Sequence, residues 1–108
     1  MFYTLTIKDE DYKLKLTTSS MIELEKKLGC NPLMIFGKDG GSIPEVGTMV
    51  DIFACSLQAY NHGISHKDAM RLFDDWLDDE NTITDFIKVI FEIYKASGII
   101  KNTGEEKN

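Results

Sequence analysis

The feature that most constrains this chain is a change of hydrophobic period near residue 17. Before it, apolar residues alternate. Tyr3, Leu5 and Ile7 share one face, and after Lys8-Asp9-Glu10-Asp11 the same spacing returns at Tyr12, Leu14 and Leu16. A period of two puts alternate side chains on one face of a strand, so residues 2–16 predict a β-hairpin with one buried face. Lys13 and Lys15 fall on its solvated side, where charge discourages edge pairing.

Beyond residue 17 the apolar spacing is three and four, the period of helices. Thr17 to Ser20 offers several N-caps, and Ser20 with Glu23 has the capping-box spacing in which each side chain satisfies an orphan backbone N–H. A helix over about 18–28 follows, with Met21, Leu24 and Leu28 inward and Gly29 as its left-handed stop. Asn31-Pro32 is a second start, a cap followed by proline at the first helical position, for a short turn over 32–36. Gly37 to Ser42 reads as a flexible loop. Residues 44–60 carry Val46, Met49, Val50, Phe53, Leu57 and Tyr60 on one stripe, with Thr48, Asp51 and Gln58 opposite and Cys55 beside them, partly accessible. Asn61-His62-Gly63 breaks the pattern. Ser65 with Asp68 repeats the capping box and opens a helix over 65–79 on Ala69, Met70, Phe73, Trp76 and Leu77.

The last helix, 83–97, starts near Thr82, with Asp85 at capping-box distance, and stops at Gly98. At 100° per residue, Asp85, Lys88, Glu92 and Lys95 occupy a sector of only roughly 80°, and apolar residues take nearly all the rest. Such a helix is either central to a bundle or covered by another chain. Phe86, Phe91 and Tyr94 point in different directions around it, and with Ile90 they are the candidate partner contacts. The fold expected is α+β and predominantly helical, an N-terminal hairpin followed by a small bundle of about four helices. A single domain over 1–100 precedes a polar tail, 101–108, expected to be disordered.

Composition narrows the function. The 108 residues are 43% apolar and 28% charged, the balance of a globular chain, and no apolar run approaches the roughly 20 residues of a membrane helix. A net charge of -6 repels phosphate backbones and anionic membrane surfaces, which argues against nucleic acid and membrane as partners. Cys30 and Cys55 lack ligand-like spacing and read as free thiols. His62 and His66 are spaced like two metal ligands on one helix turn, but Gly63 and the helix break lie between them, so no metal site is expected. Asp74, Asp75, Asp78, Asp79 and Glu80 crowd five carboxylates into seven residues. A calcium loop starting at Asp78 would place Ile83 sixth and Val89 twelfth, where glycine and glutamate are required, so the cluster reads as a solvated helix end, with a weak cation site or an acidic docking patch for a basic partner as alternatives. No nucleophile elbow or phosphate loop is present, and nothing activates Cys55. The expectation is a protein with no catalytic residue and no cofactor.

Four blocks carry a resemblance over most of the chain. They are the hairpin running into Leu16-Thr17-Thr18, Glu23 to Leu33, Leu57-Gln58-Ala59-Tyr60-Asn61-His62-Gly63, and Thr84-Asp85-Phe86-Ile87 onward to Ser97-Gly98. In this order they resemble the tail assembly chaperones of tailed bacteriophages, most closely those of siphophages and prophages of Gram-positive hosts. The resemblance implies a non-enzymatic factor in the host bacterial cytoplasm. It would coat the tape measure protein, keep it soluble while tail tube protein polymerises around it, and be absent from the mature virion. In that family a frameshift often appends a second domain. A homo-oligomer would bury the same apolar helix. Two alternatives stand beside this reading: an acidic inhibitor or nucleic-acid mimic that engages a basic host protein through Asp74 to Glu80, and a minor structural tail component.

Overall fold

The hairpin forms as the alternation predicts, but its turn is tighter. In the computed structural model, which describes residues 1–101, β1 (Tyr3–Ile7) pairs antiparallel with β2 (Glu10–Leu14), with Tyr3 opposite Leu14, Leu5 opposite Tyr12 and Ile7 opposite Glu10. Only Lys8 and Asp9 make the turn, both with positive φ, 50° and 69°. Two consecutive residues of that kind form the turn whose twist matches that of the flanking strands, and it draws Glu10 and Asp11 into β2. Left-handed backbone costs a non-glycine residue about 1–2 kcal/mol. Asp79, far along the chain, braces the turn by accepting the Lys8 backbone N–H at 3.0 Å and approaching its Nζ at 3.7 Å. An exposed ion pair contributes little alone, so the value of this contact is positional: it ties the hairpin tip to the end of a helix.

Four helices follow: α1 (Thr18–Leu28), α2 (Val46–Leu57), α3 (His66–Asp78) and α4 (Asp85–Ser97), with a 3-10 turn at Pro32–Phe36. The protein is thus a predominantly helical α+β fold, a hairpin followed by four helices. Most punctuation falls where the sequence places it. Gly29 and Gly98 close α1 and α4 in the left-handed conformation, and Asn31 caps the 3-10 turn by accepting Leu33 N–H. Ser65 and Asp68 exchange 3.0 Å bonds in a complete capping box. Thr82 and Asp85 exchange side-chain and backbone bonds, and residues 82–84 wind in tight i to i+3 turns before α4 begins. The Ser20 and Glu23 box does not form. Thr17 is the cap, its Oγ1 accepting Ser20 N–H at 3.2 Å, because Ser20 already lies inside the helix.

The central element is α2, in contact with α1, α3, α4 and β2. It is buried without interruption from Ile52 to Leu57. It is also shorter than the expected 44–60. Gln58 and Asn61 turn their side-chain amides onto the carbonyls of Ala54 and Leu57, and Tyr60 leaves the helix to lie edge-on against Phe2. Cys55, expected to be partly accessible, is only 5% exposed because α1 packs over that side of α2. Beneath the hairpin, Phe53, Phe73, Trp76 and Phe86 form an aromatic cluster with ring centroids 5.0 to 6.3 Å apart. No helix of the described residues is long and apolar enough to cross a membrane. Lys101, where the expected polar tail begins, is exposed, and its remainder, 102–108, lies outside the described residues.

Hydrogen bonds from Ser65 and Thr82 hold the carboxyls of Asp68 and Asp85 below the usual carboxylate range. Their contribution is present above the unfolded value, about pH 4, and is lost as pH falls through the depressed folded values. A double Asp68→Ala, Asp85→Ala variant should melt below wild type at neutral pH. The gap should narrow as the buffer is acidified below about pH 4, followed by circular dichroism.

Candidate partner-binding surface

The surface expected on α4 must be redrawn. Phe86, Ile90 and Tyr94 are completely buried in the chain's own core, so they present nothing to a partner. The reason is tertiary. α2 and the aromatic cluster cover the Phe86 side of α4, β1 covers another, and the 3-10 turn Pro32–Phe36 lies along a third. Tyr94 fastens that turn by donating its hydroxyl proton to the Pro32 carbonyl at 2.8 Å. Burial raises the Tyr94 phenol well above its ordinary pKa, so it stays a donor throughout the working range of pH.

Phe91 alone of the four candidates reaches solvent, at 40% exposure, and it is not isolated. Its ring stacks on Phe36 at 5.0 Å with the planes 3° apart. In a 3-10 helix residues three apart eclipse, so Leu33 stands beside Phe36; it is 47% exposed. The result is an apolar strip of Leu33, Phe36 and Phe91 on which two elements distant in sequence meet. Half-buried Ile87 borders Phe91 one turn earlier, and Lys88 and Lys95 flank it on the solvent side. Lys95 is paired with Glu92 at 3.4 Å. The uncovered part of the Phe91 ring amounts to about 80 Å², or ~2 kcal/mol available to whatever covers it.

One member of the acidic cluster is bonded into the fold. Asp79 holds the hairpin tip, and half-buried Asp75 lies near Tyr12, whose phenol is raised first by burial, then by its bond to Glu10, with Asp75 adding to the effect. Asp74, Asp78 and Glu80 remain exposed, with Glu80 in a left-handed conformation that ends α3. The cluster is thus a helix terminus in which Asp79 is bonded to the hairpin and Asp75 is half-buried, with Asp74, Asp78 and Glu80 exposed.

The two histidines face different grooves. His62 lies with Thr17, Ser20 and Ala59, and His66 with Glu23, Lys27 and Cys55 around a shallow recess of about 210 Å³. His66 Nδ1 approaches Asp51 at 3.8 Å. Burial pushes the Cys55 thiol upward, with Lys27 opposing, which is the reverse of what an activated nucleophile needs. Among the described residues no three of His, Cys, Asp and Glu converge to hold a metal ion.

The sequence missed Leu33 and Phe36, because nothing in a five-residue turn says which helix it will lie against. A signal for Phe91 was present: it follows Lys88 by three positions and precedes Lys95 by four, which puts it at the margin of the polar sector.

Burial makes two contrasts measurable. Phe86→Ala should destabilise by about 3–5 kcal/mol in urea unfolding, and Phe91→Ala by only about 1 kcal/mol. Maleimide should label exposed Cys30 readily in the native protein and Cys55 only at the rate of unfolding, read by mass spectrometry.

The family model of DUF6096, a family of unknown function, matches residues 2–107. No curated protein and no solved structure matches the chain.

Proposed function

We propose that this chain, which belongs to the DUF6096 family, is a non-enzymatic tail assembly chaperone of a tailed phage or prophage, binding the tape measure protein and keeping it soluble until the tail tube encloses it. The four sequence blocks supply the class. The observation that carries the reading is the exposed Phe91 stacked on half-buried Phe36, with exposed Leu33 on the same 3-10 turn, an apolar surface the chain leaves partly uncovered. A long client that exposes apolar helix surface needs such a cover, and the net charge of -6 keeps the complex dispersed. Binding does the work, with no cofactor, in the bacterial cytoplasm, and the chain departs before the virion is complete.

The test is co-expression with the tape measure protein from the same genome, followed by size exclusion. The wild-type chain should hold the client soluble and co-elute with it. Phe91→Asp, confirmed as folded by circular dichroism, should lose most of the soluble client, while Asp74→Lys with Asp78→Lys should retain it. The opposite order would transfer the function to the acidic end of α3 and to a basic partner. Recovery of the chain in stoichiometric amount from purified virions would replace the chaperone by a structural component.

A further inference from the structure

The two edges of the hairpin are treated differently. With a two-residue turn, Ile7 and Glu10 form the hydrogen-bonded pair next to the loop, so Leu5 with Tyr12 and Tyr3 with Leu14 are hydrogen-bonded pairs as well. The N–H and C=O groups of the intervening residues therefore point away from the partner strand. On β2 the end toward Leu14 is held. The Lys13 carbonyl accepts Asn61 Nδ2 at 3.1 Å, and just past the strand Lys15 N–H donates to the Ser56 carbonyl at 2.9 Å. On β1, Lys8 N–H is taken by Asp79, but among the described residues no hydrogen bond ends on the backbone groups of Thr4 and Thr6. Both threonines are exposed, and Tyr-Thr-Leu-Thr-Ile carries no charge, proline or bulge to discourage another strand.

The hairpin is also polar along its length. Lys13 and Lys15 lie toward its open end, with Lys13 Nζ 4.8 Å from the Phe2 ring centroid. Asp9, Glu10, Asp11 and the docked Asp79 outnumber Lys8 at the turn.

We propose that β1 pairs antiparallel with β1 of a second copy, about a two-fold axis at Leu5. Each Thr4 then stands opposite the partner's Thr6, and each such rung forms two N–H···O=C bonds, giving a continuous four-stranded sheet. This arrangement sets the lysine-bearing end of each hairpin beside the acidic turn of the other. That complementarity selects a second copy over a strand from an unrelated protein, which would find the same rungs without the matching charges. The interface is separate from the Phe36 and Phe91 strip and stands independently of the chaperone reading.

Sedimentation equilibrium on the full chain should give twice the 12.3 kDa monomer mass. Hydrogen–deuterium exchange should slow at the Thr4 and Thr6 amides as concentration rises. Thr4→Lys with Thr6→Lys sets lysine against lysine across the interface and should weaken the dimer roughly tenfold or more. Thr4→Glu with Thr6→Lys should preserve it. There the new glutamate faces Lys13 within the chain and the new lysine of the second copy across the interface, so this variant shows that substitution alone does not unfold the hairpin. A monomer at every concentration, a dimer whose Thr4 and Thr6 amides exchange as in the monomer, or equal behaviour of the two double variants would overturn the proposal.

Discussion

Everything in this molecule is arranged around the need to cover the Ile52–Leu57 half of α2 on all sides. A stretch of helix buried without a break from Ile52 to Leu57 has no solvent face there, so it cannot sit at the margin of a two-layer structure. α1, α3, α4 and the hairpin each take one side of it. Its one fully buried polar side chain, Ser56, is satisfied internally by donating to the Phe53 carbonyl, and Ser56 lends its own carbonyl to Lys15. The helix that excludes water therefore also fixes the end of the strand beside it. The cost of enclosing backbone polar groups is met by bonds that position neighbouring elements.

Two long-range contacts translate that packing into surfaces. Asp79 grips the hairpin tip, which fixes β1 relative to α3 and leaves the backbone groups of Thr4 and Thr6 without a hydrogen bond among the described residues. Tyr94 grips the Pro32 carbonyl, which lays the 3-10 turn on α4 and brings Phe36 against Phe91. In each case a polar side chain anchored on a helix recruits a short segment with little stability of its own. The surface features follow from where that segment lands.

Legibility followed the range of the interaction. The Ser65 and Asp68 box, the Thr82 and Asp85 exchange, the Asn31 cap and the glycine stops at 29 and 98 are local, set by residues a turn apart, and each was readable in sequence. Thr17 displaced Ser20 as the first cap because several hydroxyls compete there and the helix boundary chooses among them. That Phe86, Ile90 and Tyr94 are buried has no local signal, because a nearly all-round apolar helix has the same signature whether its own chain or another covers it. The burial of Cys55 is illegible for the same reason, since the packing of α1 over it has no local signal.

By itself, the sequence determined the elements, their order, most of their ends and the α+β class, because period and capping act within a few residues of the chain. Tertiary structure alone decided which helix became central, which aromatic residues disappeared and which strand edge stayed open. Those outcomes depend on which of several apolar faces meet, and faces of equal hydrophobicity are interchangeable until shape and a few distant hydrogen bonds distinguish them.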